Sequence, residues 1–513
     1  MNTENRNNSL TKVKLTANIL FSGVGMQERG FINSNLFDLD VLTTSDIDKD
    51  AILSYATIHN GLNKEMIDNY NYPSRDEMVA DLERMNIGFD PSKGTTYDWK
   101  KLARRKSNDI EKYWLACQVS NQLGDISKID KLPYADLWTI SFCCQDISVA
   151  GKMKGLAPDS GTRSSLLWEN IRLLKDSIDR GESPKYLMFE NVKNLVSKKF
   201  INDFNELLSV LDELGFNSYW KVLNACECGI PQNRQRVFVI SIRKDIDTGN
   251  MDFPTPFDNG LRLKDLLQPV NEIEEKYYIN TERAKNLIEQ LVEKGQLSGN
   301  RECCDSTIND PNTRDTCNCI TARYDAGIQN QKQIGMAVAE PIQKRLGGMW
   351  DGETKHQAGS VWDKNNLAPT LDTAQGGGRE PHIIEDNNRP ISVGNTTPSG
   401  KSQCNEVYST DGVSQTLCAG THGYATGYIA DMYRIRKLTP IETFKLMGLT
   451  REDCEKCMDN GLSNSALYKQ SGNGIVTNCV ELIAEHLYKA QYDSTYKCAD
   501  ENFTQPPIQA SRS

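Results

Sequence analysis

Several features are scarce in this chain, and each scarcity excludes something. No apolar run is long enough to cross a bilayer and no secretory signal stands at the start, so neither a membrane-embedded nor an exported protein is expected. Positive charge is not in excess, because 59 Lys and Arg face 69 Asp and Glu for a formal net charge of −10. That balance excludes a protein that coats nucleic acid indiscriminately, and any DNA face has to be locally basic. The densest basic runs are Lys100-Lys101-Leu102-Ala103-Arg104-Arg105-Lys106, read as an exposed helix face, and Arg434-Ile435-Arg436-Lys437.

Cysteine, by contrast, is plentiful at 15 residues. Without export, those thiols are expected to be reduced in the cytoplasm rather than paired. They cluster as Cys226 with Cys228, Cys303 with Cys304, Cys317 with Cys319, and Cys454 with Cys457. Close thiol pairs are the raw material of tetrahedral zinc sites, but the spacing from Cys303 to Cys319 is not that of a standard finger, and no metal ligand is assigned.

The stretch Ser141-Phe142-Cys143-Cys144-Gln145-Asp146-Ile147-Ser148 puts a thiol where a short apolar strand, Ala135-Asp136-Leu137-Trp138-Thr139-Ile140, gives way to a polar loop through Gly151-Lys152-Met153-Lys154-Gly155. Open α/β sheets keep their reactive groups at such strand-to-loop junctions. Two further strand ends carry partners. Leu187-Met188-Phe189-Glu190-Asn191-Val192 ends in a carboxylate, and Ile230-Pro231-Gln232-Asn233-Arg234-Gln235-Arg236-Val237-Phe238-Val239-Ile240 sets two guanidinium groups on one face of a strand. Singly, these are a buried thiol, a solvated strand end and a polar turn. Together they can converge on one pocket.

Near the amino terminus, Leu15-Thr16-Ala17-Asn18-Ile19-Leu20-Phe21 runs as a strand into Ser22-Gly23-Val24-Gly25-Met26-Gln27-Glu28-Arg29-Gly30-Phe31. Strand, glycine turn and helix follow in order, but the glycine spacing departs from the GxGxxG fingerprint of dinucleotide sites and suits a nucleoside better than NAD. A second strand, Asp40-Val41-Leu42-Thr43-Thr44-Ser45, ends at Asp46, where a carboxylate can bind ribose hydroxyls. Gly124-Asp125-Ile126 offers another acid, placed to read an adenine edge.

In this order and combination the motifs resemble the DNA (cytosine-5)-methyltransferases, from about Leu15 to Leu487 apart from two insertions. FSGVGMQERGF resembles the family's first motif, SFCCQDIS its PCQ motif, FENVKNL its ENV motif and PQNRQR its QxRxR motif. Arg436-Lys437-Leu438-Thr439-Pro440 with Glu442 and Gly448-Leu449 is similar to RxLTPxE…GF, and Gln470-Ser471-Gly472-Asn473-Gly474-Ile475-Val476 to the closing GN motif.

The resemblance implies methyl transfer from S-adenosylmethionine to carbon 5 of cytosine in double-stranded DNA. Cys144 would add to carbon 6 of the ring, because carbon 5 is a poor nucleophile while the ring is aromatic. Glu190 would hold and protonate ring nitrogen 3, Arg236 would bind the carbonyl at position 2, and Arg234 would support the site. Around the cofactor the match carries over Phe21, Gly23 and Gly25, with Asp46 on the ribose, Ile47 against the adenine face, Asp125 and Ile126 at the adenine edge, and Asn473 and Ile475 closing the pocket. The family has proline before its catalytic cysteine where this chain has Cys143, which removes a φ constraint and adds a second, oxidisable thiol. Carbon 6 is hidden in stacked DNA, so the target nucleotide has to be flipped out. The loop 149–163 would close over it, with Lys152, Lys154 and Arg163 as phosphate contacts.

The expected architecture is an α/β, Rossmann-like methyltransferase domain with a mostly parallel sheet. A β-rich target recognition domain is inserted before the last motifs. Residues 1–11 and 493–513 read as polar, disordered tails, and residues 12–245 as the catalytic and cofactor-binding domain with a helical insertion at 61–123. Residues 246–432 would be the recognition domain and residues 433–492 the segment that completes the catalytic domain. Within 246–432, residues 361–377 align without a gap on 407–423, and a fainter copy surrounds Cys319-Ile320-Thr321, as expected of short β units. A cytoplasmic, nucleoid-associated monomer is expected, and a restriction endonuclease acting on the same site is a candidate partner. Two rivals remain open here, a tRNA cytosine methyltransferase and a DNA-binding protein that Cys143 has inactivated. A nicotinamide oxidoreductase is disfavoured by the glycine spacing.

Overall fold

The computed structural model describes residues 12–90, 93–141, 166–279 and 433–498, and shorter stretches between 280 and 432, chiefly 301–305, 311–322 and 336–341. The loop expected to carry the nucleophile, with Cys143, Cys144, Lys152, Lys154 and Arg163, lies outside the described residues.

The chain divides into two units, the first made of residues 1–268, 316–325 and 439–513. Its elements begin with β1 (Val13–Leu20), α1 (Met26–Asn33), β2 (Phe37–Ser45) and α2 (Lys49–His59), followed by β3 (Leu137–Ile140), α3 (Leu166–Asp179), β4 (Tyr186–Val192) and α4 (Ile201–Glu213). Then come β5 (Phe216–Asn224), β6 (Gln235–Arg243), α5 (Asn464–Asn473) and α6 (Thr477–Tyr492). The six strands form one sheet in the order β2-β1-β3-β4-β6-β5. Pairings from β2 through β4 are parallel, whereas β6 runs antiparallel to both β4 and β5.

Both faces of this sheet are covered, which is why its central strands read as nearly continuous apolar runs. Ile19, Met188 and Ile240 face one apolar layer with Phe31 of α1, Leu53 of α2 and Val480 of α6. Their neighbours Leu20, Phe189 and Val239 face the other, with Leu167 and Leu174 of α3 and Phe204 and Leu211 of α4. The carboxyl-terminal helix α6 is an integral wall, since a Cβ on Gly30 of α1 would lie 2.4 Å from the Val480 Cβ. Order continues past Asp493 into the segment expected to be tail: Tyr496 donates to Asp252 Oδ2 at 2.6 Å, whose Oδ1 meets His486 Nδ1 at 2.5 Å.

The helical insertion contains Arg75–Arg84 and Asp109–Val119, and it buries Met78, Leu82, Trp99 and Leu115 in the first layer. Leu102 is buried, while Lys100, Lys101, Arg104, Arg105 and Lys106 are exposed.

The second unit comprises residues 269–315 and 326–438. Its five-stranded antiparallel sheet runs Tyr278–Ile279, Tyr433–Lys437, Met336–Pro341, Glu302–Asp305, Asn312–Thr313. In the repeat, Ser360–Trp362 and Glu406–Tyr408 are strands, and the rest of each copy lies outside the described residues. The division falls after Gln268 and Leu438 rather than at 246 and 433, because Tyr433–Lys437 belongs to this second sheet. Residues 316–325 return to the first unit, where Cys317–Asn318 pairs parallel with Gln232–Asn233.

Within the basic run Arg434-Ile435-Arg436-Lys437, Arg436 is turned inward. Its side chain is fully buried, with Nε 2.9 Å from Glu340 Oε1. Arg301 and Tyr278 serve the same carboxylate, at 2.8 and 2.5 Å. A buried charge so fully matched is a structural feature of the sheet.

Candidate active site

At the end of β1 the chain bends sharply. Phe21 and Gly23 both take φ of 54°, and Gly25 takes φ of 80° before α1 begins. Gly25 has a second reason to lack a side chain: a Cβ there would sit 2.2 Å from His59 Nε2. The turn is tied down by Ser22 N donating to Ser45 O and Gly25 N to Ser22 O, at 2.9 and 2.8 Å. Gly23 N donates to Asp46 Oδ2 at 2.8 Å, which joins the two strand ends named from the sequence.

Asp46 is partly buried, and its other oxygen accepts from Asp48 N at 2.8 Å. Desolvation and the charge of Asp48 push its carboxyl up to about 6, against the backbone amides of Asp48, Gly23 and Ile47. Gln122 Oε1 accepts from the amides of both Asp46 and Gly124, at 2.8 and 3.1 Å, and so brings the Asp46-Ile47 and Asp125-Ile126 segments together. The helical insertion closes this edge. Asn86 Nδ2 donates to Asp125 Oδ2, Asp125 N to Met85 O, and Gly88 N to Ile47 O, at 2.8, 3.0 and 2.7 Å. Asp125 Oδ1 meanwhile caps the turn at Ser127. Across the turn, Asn473 is exposed at the end of α5 and Ile475 is buried. A Cβ on Gly474 would lie 2.2 Å from the Met26 sulfur at the start of α1.

The other half of the site lies on β4 and β6. Val192 is registered against Arg236, so Glu190, two residues away, shares its face. Arg236 Nε lies 3.2 Å from Glu190 Oε1, and the side chains are only 16% and 10% exposed. Burial pushes the Glu190 carboxyl above its ordinary value, and the charges of Arg236 and Arg234 offset this only in part.

Arg234 turns the other way. Its guanidinium reaches Cys319 Sγ at 3.3 Å and Ile320 O at 3.0 Å with one nitrogen, and Gly472 O and Gly474 O at 3.0 and 2.6 Å with the other. It clamps the end of α5 to the returning 316–325 segment. Burial alone would push the Cys319 thiol up, but Arg234 and Arg236 outweigh it and hold the thiol below its usual value.

The two halves are linked at the root of the nucleophile loop. Gln27 Nε2 on α1 donates to Ser141 Oγ at 3.2 Å and to Phe21 O at 3.3 Å. The structure therefore gathers Phe21, Gly23, Gly25, Asp46, Ile47, Asp125 and Ile126 on one side, and Glu190 with Arg236 on the other. Cys144 falls outside the described residues. Sequence reasoning missed Gln27, Asn86, Gln122 and Cys319, all joined to the site by long-range contacts that no local spacing encodes. Among the described residues, no three or more His, Cys, Asp or Glu side chains gather as a metal site.

The profile of the C-5 cytosine-specific DNA methylase family matches residues 74–489. This chain belongs to that family. The DNA methylase is 31% identical to the type II methyltransferase M2.ScrFI of Lactococcus lactis subsp. cremoris, covering 92% of this chain and 98% of that protein. It is 26% identical to the orphan methyltransferase M.SPBetaI of Bacillus phage SPbeta, covering 92% and 97%. Orphan methyltransferase M.SssI of Spiroplasma monobiae matches at 31% over 54% of this chain and 70% of its own length. The enzyme is a DNA cytosine-5 methyltransferase with an α/β, mostly parallel sheet, and its methyl donor is S-adenosylmethionine.

The residues at the glycine turn fit that donor. Asp46 presents a carboxylate at the strand edge, and Ser22 Oγ is buried without a hydrogen-bond partner, a polar group left for a ligand to satisfy. Among the described residues no helix is long and apolar enough to cross a membrane.

Proposed function

We propose that this DNA methylase acts on a specific double-stranded sequence through a transient covalent bond between Cys144 and a flipped-out cytosine. The observation that carries the reading is the Glu190–Arg236 pair, buried at 3.2 Å on adjacent strand ends. A cytosine edge needs one group that donates to nitrogen 3 and another that accepts charge at the carbonyl of carbon 2. Glu190, with its pKa raised by burial, suits the first, and Arg236 suits the second.

Cys144 attacks carbon 6 as a thiolate while Glu190 protonates nitrogen 3, leaving electron density on carbon 5. S-adenosylmethionine would supply an electrophilic methyl group on its sulfonium for carbon 5, with the neutral thioether as the leaving group. Loss of the carbon 5 proton to a base then expels Cys144 as a thiolate, and return of the nitrogen 3 proton to Glu190 restores the ring. Arg234 holds the wall of the pocket rather than the base. Phe21, Gly23 and Gly25 hold the methionine and adenine portions of the cofactor, Asp46 its ribose, Ile47, Asp125 and Ile126 its adenine, and Asn473 and Ile475 close over it. The second unit supplies target recognition. Bisulfite sequencing of DNA from cells expressing the chain tests the activity: conversion-resistant cytosines within one short sequence are expected, and random or absent protection overturns sequence-specific methylation.

Asp46 yields a prediction with a defined pH window. Its carboxyl is raised to about 6, and ribose hydroxyls donate more strongly to the ionised form, which can accept with both oxygens, so binding favours proton loss. Affinity for S-adenosylmethionine should fall as pH drops through about 6, with protons released on binding there. Asp46→Asn should weaken binding about tenfold at pH 7.5 and flatten the pH dependence. Calorimetry between pH 5 and 8 measures both, and an unchanged slope in the variant removes Asp46 from the cofactor site.

A further inference from the structure

Beneath the glycine turn lies a buried cluster that the chemistry above does not use. His59, the last residue of α2, has a side chain only 3% exposed. Its Nε2 lies 3.2 Å from the carbonyl of Val24, inside the turn, and its Nδ1 lies 3.3 Å from Glu28 Oε1 on α1. Tyr55 donates its hydroxyl to Glu28 Oε2, and the Tyr55 and His59 rings stack with centroids 4.7 Å apart. The ring forms the floor on which Gly25 rests, leaving no room there for even a methyl group.

The Val24 contact sets the role of one ring nitrogen. A carbonyl only accepts, so Nε2 must carry a hydrogen. Burial pushes the Glu28 carboxyl up, but the hydrogen bond and charge of His59, the Tyr55 hydroxyl and the charge of Arg29 outweigh it and hold it below the usual carboxylate range. Glu28 is therefore an anion able to accept from Nδ1 as well. Helix ends reinforce the arrangement, because His59 lies in the last turn of α2 and Glu28 in the first turn of α1.

Apolar side chains would fill this space without the cost of burying the Glu28 carboxylate, so stability alone does not account for the cluster. We propose that His59 is a positioning residue for the cofactor: with Nε2 donating to Val24 and Nδ1 set against Glu28, it locks the turn that presents Gly23, Gly25 and Asp46. This rests on the reading that the turn holds S-adenosylmethionine.

The test is calorimetric binding of S-adenosylmethionine and steady-state kinetics on the full chain. His59→Phe keeps an aromatic ring over Tyr55 and removes both ring nitrogens; it should raise the dissociation constant about tenfold or more, with kcat at saturating cofactor within about threefold. The KM for DNA should stay at its wild-type value. His59→Gln keeps one donor for Val24 and should recover most of the affinity. Wild-type binding by His59→Phe, or no recovery with His59→Gln, overturns the proposal. Should His59→Phe fail to fold, the nitrogen NMR spectrum of the histidine-labelled wild-type chain decides: a hydrogen on His59 Nε2 is expected, and a ring lacking it overturns the proposal. Asp46→Asn separates the two readings. If it weakens binding while His59→Phe does not, the inference falls; if neither weakens binding, the turn does not hold the cofactor.

Discussion

Cys144→Ala should abolish methyl transfer, by at least about 10⁴-fold, while affinity for S-adenosylmethionine stays within about twofold. Without the sulfur there is nothing to add to carbon 6, and carbon 5 of an intact aromatic ring does not attack a methyl group at a useful rate. The residues placed around the cofactor do not include Cys144, so binding should survive.

The neighbouring thiol makes this prediction sharper. Cys143 stands where the family has proline, so the two sulfurs have to be distinguished directly. On duplex DNA carrying 5-fluorocytosine, addition and methylation proceed, but no proton remains on carbon 5 to leave, and the enzyme stalls with sulfur bonded to carbon 6. Peptide mapping of that adduct should place the crosslink on Cys144, and Cys143→Ala should still form it. A crosslink on Cys143 would move the nucleophile by one residue. No adduct at all, under conditions where the cofactor is bound, would make the chain a sequence-binding protein without catalysis.

Much of the frame was legible because it is written in local pattern. The strand read at Leu15 to Phe21 is β1, ending one residue earlier at Leu20, and the runs ending at Ser45, Ile140 and Val192 are β2, β3 and β4. Parallel strands buried on both faces announce themselves as apolar runs, and their ends are marked by the polar residues that follow. The glycine turn was equally visible, since Gly23 and Gly25 take the positive φ that such a bend requires.

What pattern could not supply was partnership. Arg234 and Arg236 sit two residues apart and were expected to face one pocket, yet Arg236 meets Glu190 while Arg234 binds carbonyls of Gly472 and Gly474 from far along the chain. Likewise, Thr439-Pro440 and Glu442 read as a motif, and locally they form a capping box: Thr439 Oγ1 accepts from Glu442 N at 3.2 Å, and Glu442 Oε2 from Thr439 N at 2.8 Å. The remaining oxygen of Glu442 accepts from Gln268 N, which places the start of the final segment against the end of the first, a contact no spacing rule foresees. The burial of Arg436 within a basic run has the same origin. Charge density along a sequence does not reveal that strand alternation turns Arg436 inward to Glu340.

Glu190→Gln is the second substitution expected to cost most of the activity, about 10² to 10⁴-fold in the single-turnover rate. The amide fits the same space and can still hydrogen-bond a base, but it has no proton to surrender to nitrogen 3. The pH profile separates this from a mere loss of shape. Burial raises the Glu190 carboxyl, so the neutral, donating form persists to higher pH than in an exposed glutamate. The wild-type rate should fall on the alkaline side as Glu190 loses that proton, and the residual rate of Glu190→Gln should lack this limb. Arg236→Met should cost a comparable factor, since it removes the charge facing the carbon 2 carbonyl and leaves Glu190 buried without its 3.2 Å partner. Arg236→Lys should recover only part of the rate, because an ammonium group cannot reproduce the planar fork of guanidinium. The two losses should be far from additive in the double variant, as Glu190 and Arg236 act on one base edge through one contact. Additive losses would mean that they serve separate steps, and the pocket as drawn would have to be given up.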